Sequence, residues 1–224
     1  MKNIHIAIDG PAGAGKSTIA KRLAQEIHID YLDTGAMYRA LTYHILQLNV
    51  DVEDEETIIK EAEKIDIDFN NNCVYLNGIN VDIDIRTQKV SNNVSAVSKF
   101  ARVRELMVDK QREIANGKSV IMDGRDIGTV VLPKAEYKFY LDASIDIRAQ
   151  RRYEQLDQNM DIEELKRDIA NRDKMDQTRE VSPLKKAEDA IVIDTSNMTI
   201  DEVLQTMKSI IFNATTIGIF VSII

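Results

Sequence analysis

A glycine-rich stretch at residues 10–17, GPAGAGKS, constrains the fold of this chain more than any other feature. It matches the pattern G-x-x-x-x-G-K-[ST] at every fixed position, and it lies between a short apolar run and a helical pattern. Glycines there let backbone N–H groups converge on phosphate oxygens, and the N-terminus of the following helix favours negative charge. The sequence therefore predicts a nucleotide phosphate-binding loop made of Gly10, Pro11, Ala12, Gly13, Ala14, Gly15, Lys16, Ser17 and Thr18.

Two side chains of this loop have predicted roles. Lys16 is expected to reach the β- and γ-phosphates, and the Ser17 hydroxyl is expected to be a ligand of Mg²⁺. Asp123 ends another predicted strand, where it either positions Mg²⁺ through water or is an ordinary strand-end carboxylate. The loop alone leaves that choice open, and it does not identify the acceptor of the phosphate.

Apolar runs that alternate with helical patterns organise the rest of the chain. Core strands are predicted at residues 4–9, 119–123, 137–142 and 190–194, and a further short strand ends at Asp33. The predicted helices cover residues 16–26, 35–48, 100–116, 144–156, 162–174 and 199–208. This alternation predicts an α/β fold with a parallel sheet covered on both faces.

Residues 65–83 break the alternation. They contain short alternating runs with turn residues at 70–72 and 77–78, which predict a small antiparallel insert. Helical sequence flanks this insert at residues 53–64 and 87–98.

Composition excludes several classes of partner. The net charge of −8 argues against a fold that grips nucleic acid by its backbone, which would usually be basic. The single cysteine, Cys73, excludes an internal disulfide and fits a reducing compartment such as the cytoplasm. No targeting pattern is expected at the N-terminus.

Residues 209–224 carry no charge but fall short of the ~20 apolar residues of a membrane helix, so they are predicted to be an irregular tail or strand of unknown role.

The acceptor of the phosphate must be inferred from the rest of the chain. A GTPase needs a base-reading N-K-x-D sequence, and the chain has none. Transfer to a small anionic acceptor needs several cations, because two polyanions must be brought together. Each candidate cluster alone also fits a helix cap, a turn or a solvated surface. The candidates are Thr34 with Arg39, Arg125 with Asp126, the helix-face set Arg148, Arg151 and Arg152, and the set Arg172, Asp176 and Arg179.

Several segments together resemble the bacterial cytidylate kinases, which are P-loop nucleoside monophosphate kinases. The resemblance runs from about residue 4 to residue 208 and rests on IDGPAGAGKST, LDTGAMYR, IRTQKV, VSAVSKFARVRE, MDGRDIGTVV, YLDASIDIRAQRR and NRDKMDQTREVSPL. It implies a three-layer P-loop fold with a five-stranded parallel sheet, and phosphorylation of CMP and dCMP by ATP with Mg²⁺. It also implies a monomer in pyrimidine metabolism.

The resemblance further implies a division of the chain and a role for each site residue. The core would cover residues 1–52, 99–147 and 181–208, with a CMP-binding insert at 53–98 and a lid at 148–180. CMP would be bound through its phosphate by Arg39, Arg125 and Arg179, through its cytosine by Ser95, Arg104 and Asp126, and through its sugar by Arg172 and Asp176, with Thr34 where some members have serine. The lid would close on ATP with Arg148, Arg151 and Arg152, and the catalytic residues would be Lys16, Arg125, Arg152 and Arg179.

The assignment of Asp126 has independent physical support. A carboxylate accepts a hydrogen bond from the N4 amino group of cytosine, whereas uracil presents an oxygen there that a carboxylate repels. We expect direct in-line transfer without a protein nucleophile or general base, because the acceptor phosphate is already anionic. Two alternatives remain open: a kinase for UMP, AMP or shikimate, and a P-loop switch that holds a nucleotide without phosphorylating a metabolite.

Overall fold

The structure is a computed structural model that describes residues 3–70, 73–155 and 161–221. Its central layer is a five-stranded parallel sheet in the order β2-β6-β1-β7-β8. The strands are β1 (His5–Asp9), β2 (Asp30–Asp33), β6 (Val120–Gly124), β7 (Tyr137–Asp142) and β8 (Ile191–Asp194). Ile6, Ala7 and Ile8 of the central strand are completely buried, as expected for a strand covered on both faces. The predicted parallel sheet is thus confirmed.

Helices cover both faces of this sheet. Helices α1 (Lys16–Ile27) and α8 (Ile200–Val221) pack on one face, where Leu23 and Leu204 join the apolar cluster of β1, β7 and β8. Helix α5 (Ala101–Ala115) packs on the other face, where Val108 contributes to a cluster with β1, β2 and β6. This arrangement is the expected three-layer architecture.

A smaller antiparallel sheet confirms the predicted insert. It contains β3 (Ile67–Asn70), β4 (Cys73–Leu76) and β5 (Ile79–Asn80), with left-handed backbone at the turn residues Asn77 and Gly78. Helices α3 (Glu55–Lys64) and α4 (Gln88–Ser98) flank it, and the buried residues of the insert share one core with α2 (Thr34–Gln47). Of the turn predicted at residues 70–72, residues 71 and 72 lie outside the described part of the chain.

Helices α6 (Ile145–Gln155) and α7 (Ile162–Thr178) pack against each other across a small apolar cluster of Ala149, Leu165 and Ile169. Helix α7 extends four residues beyond the predicted end at residue 174. Residue 156, the predicted end of α6, lies outside the described residues.

The prediction of an irregular tail or strand after residue 208 is wrong for the described residues, because α8 continues to Val221. Many of the tail residues are β-branched, which weakens helix propensity and favours strands. Leu204, Met207 and Ile211 recur at helical spacing and are buried against the sheet, so tertiary packing supports the helix as far as Ile211. No helix in the described part of the chain is long and apolar enough to cross a membrane.

Candidate active site

A cleft of about 770 Å³ runs along the carboxyl ends of β1, β2 and β6, where open α/β sheets usually bind ligands. It brings together segments that are distant in the sequence. All the predicted site residues line it except Gly10, Pro11 and Arg148.

The phosphate loop forms one end of the cleft. Gly10 has a φ of +147°, and a Cβ atom there would lie 2.0 Å from the carbonyl oxygen of Leu141, so only glycine fits. Helix α1 starts at Lys16, whose Nζ donates a hydrogen bond of 2.7 Å to the Pro11 carbonyl. Burial, and next the nearby Arg125 guanidinium, lower the pKa of Lys16 to about 7. An anionic ligand would favour the charged form of this amine.

Oxygen donors meet beside the loop. The Ser17 hydroxyl donates to Asp123 Oδ2 and the Tyr31 hydroxyl donates to Asp123 Oδ1, both at 2.8 Å. Thr34 Oγ1 donates to the Asp123 carbonyl at 2.7 Å. Burial, and next the charge of Asp33, raise the pKa of Asp123 to about 6. A nearby cation would relieve this cost, because it favours the ionised carboxylate.

These donors fit one hard cation that keeps water or phosphate ligands, which is how Mg²⁺ is usually bound. In the stretches of chain that the structure describes, no group of three or more His, Cys, Asp or Glu side chains could hold a metal ion alone. The sequence left the role of Asp123 open, and the structure brings its carboxylate to the predicted metal ligand Ser17.

A cluster of arginines forms the middle of the cleft. Arg125 Nε donates to Asp176 at 2.9 Å, and Arg39 Nη2 donates to Asp33 at 2.8 Å. Burial, and next Arg125, lower the pKa of Arg172 to about 10. Within this cluster, the buried guanidinium nitrogens without a hydrogen-bond partner among the described residues are Arg39 Nε, Arg172 Nε and Arg179 Nη2, the last of which lies 3.9 Å from Asp126 Oδ1. Cationic donors in a cleft that have no hydrogen bond can bind a phosphate.

The far end of the cleft holds a polar pair. Arg104 donates through Nη2 to Asp126 and through Nη1 to the Ser98 carbonyl, the latter at 3.3 Å. The Arg104 guanidinium also lies over the Tyr38 ring, 5.0 Å from its centroid. Ser95 lines this end from α4. Tyr38 is a site residue that the sequence analysis missed, although it lies inside the LDTGAMYR segment.

A second missed residue, Asp9, supports the segment that carries Asp126. Its carboxylate accepts hydrogen bonds from the backbone N–H groups of Ile127 at 2.8 Å and Gly128 at 2.7 Å. These two residues begin a short π-helical turn, Ile127–Val131, immediately after Asp126. The only local signal for Asp9 was an acidic residue at the end of an apolar strand.

The predicted lid arginines separate into two groups. Arg151 donates through Nη1 to Thr195 Oγ1 at 3.1 Å and through Nη2 to the Thr195 carbonyl at 2.7 Å. Arg152 lines the cleft close enough to Arg39 for that charge, after burial, to lower its pKa. Arg148 instead lies behind the phosphate loop, where it donates to the Ala12 carbonyl at 3.1 Å.

Solved structures with a similar fold include a shikimate kinase and an uncharacterised protein. A shikimate kinase from Bacteroides thetaiotaomicron is 13% identical with a TM-score of 0.50, covering 93% of this chain and 98% of that one. An uncharacterised protein from Eubacterium ventriosum is 15% identical with a TM-score of 0.54 and the same coverages. At these identities the likeness shows the fold alone.

Sequence comparison is more specific. The cytidylate kinase of Alkaliphilus oremlandii is 52% identical over 208 residues, which cover 92% of this chain and 96% of that protein. The cytidylate kinase of Clostridioides difficile is 51% identical over 212 residues, which cover 93% and 98%. A family model described as cytidylate kinase matches residues 6–213. The chain therefore belongs to the cytidylate kinase family.

Proposed function

We propose that the protein transfers the γ-phosphoryl group of ATP to the 5′-phosphate of CMP or dCMP, which gives ADP and CDP or dCDP. One observation carries this proposal: a single cleft joins a phosphate loop to a cluster of arginines and then to the buried Arg104–Asp126 pair. A donor polyphosphate, an acceptor phosphate and a polar base would each meet complementary groups in that order.

The acceptor phosphate would be bound by Arg39, Arg125 and Arg179. The guanidinium nitrogens of Arg39 and Arg179 that have no hydrogen bond support this role, because burying a donor without a hydrogen bond is costly unless a ligand supplies one. Arg172 and Asp176 would hold the sugar. The guanidinium groups would also hold the acceptor oxygen in line with the donor phosphate.

Cytosine would be recognised by Asp126, Arg104 and Ser95. Arg104 donates to Asp126 Oδ2, whereas Oδ1 lies 3.9 Å from Arg179 Nη2 and accepts no described hydrogen bond, so it would be the oxygen that accepts from the N4 amino group. Uracil would place an oxygen against this carboxylate, so the same site would reject UMP. Thr34, through its hydrogen bond to the Asp123 carbonyl, would hold the start of α2 at the acceptor site.

Ser17 and Asp123 would hold Mg²⁺, the first as a direct ligand and the second through water. When bound there, Mg²⁺ would supply positive charge that neutralises the charge developing on the phosphates.

Catalysis would come from positioning and charge neutralisation. An oxygen of the CMP phosphate attacks the γ-phosphorus of ATP. The bond between the γ-phosphorus and the β,γ-bridging oxygen breaks, and that oxygen leaves with ADP. No side chain needs to remove a proton. Lys16 would leave the Pro11 carbonyl to contact the β- and γ-phosphates. Arg125, Arg179 and Arg152 would neutralise the charge between donor and acceptor, and Arg151 would help the lid to close on ATP.

We also propose that residues 53–98 and 148–180 move toward the core to exclude water during transfer, around a core of residues 1–52, 99–147 and 181–208. One chain supplies every residue proposed for the site, which favours a monomer. The net charge of −8 argues against a nucleic acid partner. The unpaired cysteine Cys73 favours the cytoplasm.

A panel of acceptors tests the function. ADP release would be measured by a coupled assay with ATP and Mg²⁺ in the presence of CMP, dCMP, UMP, AMP or shikimate. We expect CMP and dCMP to give by far the highest kcat/KM. A higher value for another acceptor would reassign the substrate, and tight ATP binding without acceptor-dependent ADP release would indicate a nucleotide switch.

A further inference from the structure

Among the described residues, Ala12 hydrogen-bonds the phosphate loop to both lid helices. Its N–H donates to Asp173 Oδ1 at 3.3 Å, and its carbonyl accepts from Arg148 Nη1 at 3.1 Å. The same Arg148 nitrogen pairs with Asp173 Oδ2, which closes a ring of hydrogen bonds around one residue. Arg148 lies on α6 and Asp173 on α7, so both helices hold the loop.

Burial and packing make this ring a fixed part of the structure. Arg148 and Asp173 are 7% and 8% exposed, and Arg148 Nε also donates to the Ala143 carbonyl at 2.9 Å. The backbones approach so closely that a Cβ atom on Gly13 would lie 3.1 Å from Arg148 Cβ. A buried ion pair contributes little net stability compared with apolar residues of similar volume. Stability alone therefore does not explain why the Arg148–Asp173 pair lies between the phosphate loop and the lid helices.

Helix α7 also contacts the acceptor end of the cleft within the same turn. Asp176 accepts from Arg125 at 2.9 Å, and Arg172 lines the cleft beside it. Residues 172 and 176 are about 6 Å apart along the helix axis, with Asp173 between them. A short rigid segment of α7 therefore touches the acceptor site with two residues and the donor loop with a third.

The loop passes this contact on to the catalytic lysine. Ala12 follows Pro11, whose carbonyl accepts from Lys16 Nζ at 2.7 Å. A displacement of Asp173 would move Ala12, and with it the carbonyl that holds Lys16 away from a bound phosphate. The path from Asp176 to Lys16 thus consists of one helical turn, one hydrogen-bonded peptide unit and one further hydrogen bond.

We propose that Asp173 and Arg148 are positioning residues that couple the two substrate sites, so that an acceptor bound at Arg172 and Asp176 favours the loop conformation that binds ATP. The proposal rests on the proposed function for the identity of the two ligands. Such coupling is reciprocal, and a factor of about tenfold lies within the usual range.

Calorimetry on the full-length protein tests the proposal. The Kd of a non-hydrolysable ATP analogue with an imido bridge would be measured with Mg²⁺, with and without saturating CMP. The ratio of the Kd without CMP to the Kd with CMP measures the coupling, and for the wild type we expect a ratio of about ten. Asp173→Asn keeps the side-chain volume but removes the charge that pairs with Arg148, so its Kd ratio should fall close to one. Asp168→Asn, an exposed position on the same helix, should keep the wild-type ratio.

Two results would overturn the proposal: a wild-type ratio near one, or an unchanged ratio in Asp173→Asn. Thermal melting would establish that each variant is folded. If Asp173→Asn does not fold, Arg148→Lys serves in its place, because an ammonium cannot maintain all of the guanidinium contacts. A protein that gives CDP from CMP but keeps its ratio in the folded variant would contradict the coupling alone. A protein that gives no CDP would contradict the proposed function.

Discussion

Arg104 and Asp126 form a buried ion pair at the far end of the cleft, with Nη2 and Oδ2 2.6 Å apart and side chains only 2% and 5% exposed. Burial of such a pair is costly, and removal of one partner leaves an uncompensated charge that destabilises the fold by about 3–5 kcal/mol. The pair therefore fixes the direction of the Asp126 carboxylate beside the arginines that are proposed to bind the acceptor phosphate. The role of this carboxylate in the choice between CMP and UMP can be tested by substitutions that alter hydrogen bonding without changing side-chain volume.

Asp126→Asn should alter the choice of base more than the binding of ATP. The amide can donate to the uracil oxygen that a carboxylate repels, so kcat/KM should fall for CMP and should fall much less, or rise, for UMP. The loss for CMP should approach about 10⁴-fold, the lower end of the range for a site built around a substrate hydrogen bond. Steady-state kinetics with both acceptors would measure this, and an equal loss for both would show that Asp126 does not read the base.

Asp126→Ala should show the same loss of selectivity for CMP over UMP, together with lower stability. The alanine leaves Arg104 buried without its partner, so the free energy of unfolding should fall by about 3–5 kcal/mol. Urea denaturation would separate this effect from the effect on kinetics. The KM for ATP should stay near the wild-type value in both variants, because the phosphate loop lies at the other end of the cleft.

Lys16 should make ATP binding dependent on pH. Its pKa in the free protein is about 7, chiefly because of burial and next because of Arg125. The amine is therefore charged below about pH 7, and above that pH it must take up a proton to bind the polyphosphate. ATP affinity should fall as the pH rises from 7 to 9, by up to about tenfold per unit. Calorimetry in buffers of different ionisation enthalpy would detect the proton uptake.

Lys16→Arg is the matched control for this titration, because a guanidinium stays charged throughout the range. Its ATP affinity should be weaker at pH 7 but independent of pH above it. Lys16→Met should lower turnover by several orders of magnitude and leave CMP binding largely intact. Equal pH dependence in the wild type and Lys16→Arg would assign the titration to another group.

Asp9 should make folding stability dependent on pH. Burial raises its pKa to about 7, from 3.8 for an ordinary aspartate, against the opposing effect of the hydrogen bonds from Gly128 and Ile127. The folded protein therefore holds this proton up to about pH 7, whereas the unfolded chain releases it near pH 4. The contribution of Asp9 is fully present below about pH 4 and is lost as the pH rises toward 7, by at most about 1.4 kcal/mol per unit.

Asp9→Asn removes this titration. The stability of the wild type relative to the variant should decline between about pH 4 and pH 7 and stay constant above, as measured by urea denaturation at a series of pH values. Asparagine also has only one acceptor oxygen for the two N–H groups of Ile127 and Gly128, so above about pH 7, where Asp9 is ionised, the variant should discriminate less well between CMP and UMP. A constant stability difference across this range would contradict the raised pKa.

Features that depend on local sequence could be predicted, and features that depend on distant contacts could not. The phosphate loop and the five sheet strands follow from glycine spacing and short apolar runs, and both are present in the structure. The hydrogen bond from Ile127 to Asp9 joins residues 118 positions apart, which no local pattern encodes. Helical spacing placed Arg148 on the same face as Arg151, but their partners, Ala12 and Thr195, belong to different parts of the site.

The end of the chain was mispredicted for the same reason, because the position of α8 depends on contacts with distant strands. Ile211 is 4% exposed and packs in the cluster of α1, β1 and β7, so the segment after residue 208 contributes to the core. Ile211→Ala should lower the free energy of unfolding by about 2–5 kcal/mol, because it removes buried methyl groups and leaves a cavity. Gln205→Ala, at an exposed position of the same helix, should change it by less than about 0.5 kcal/mol.

Truncation after residue 208 should then destabilise the protein at least as much as Ile211→Ala does, since it removes the same side chain. Urea denaturation of the three variants would measure these differences. A truncated protein as stable as the wild type would show that the packing of Ile211 does not support the fold, as first expected for a mere tail.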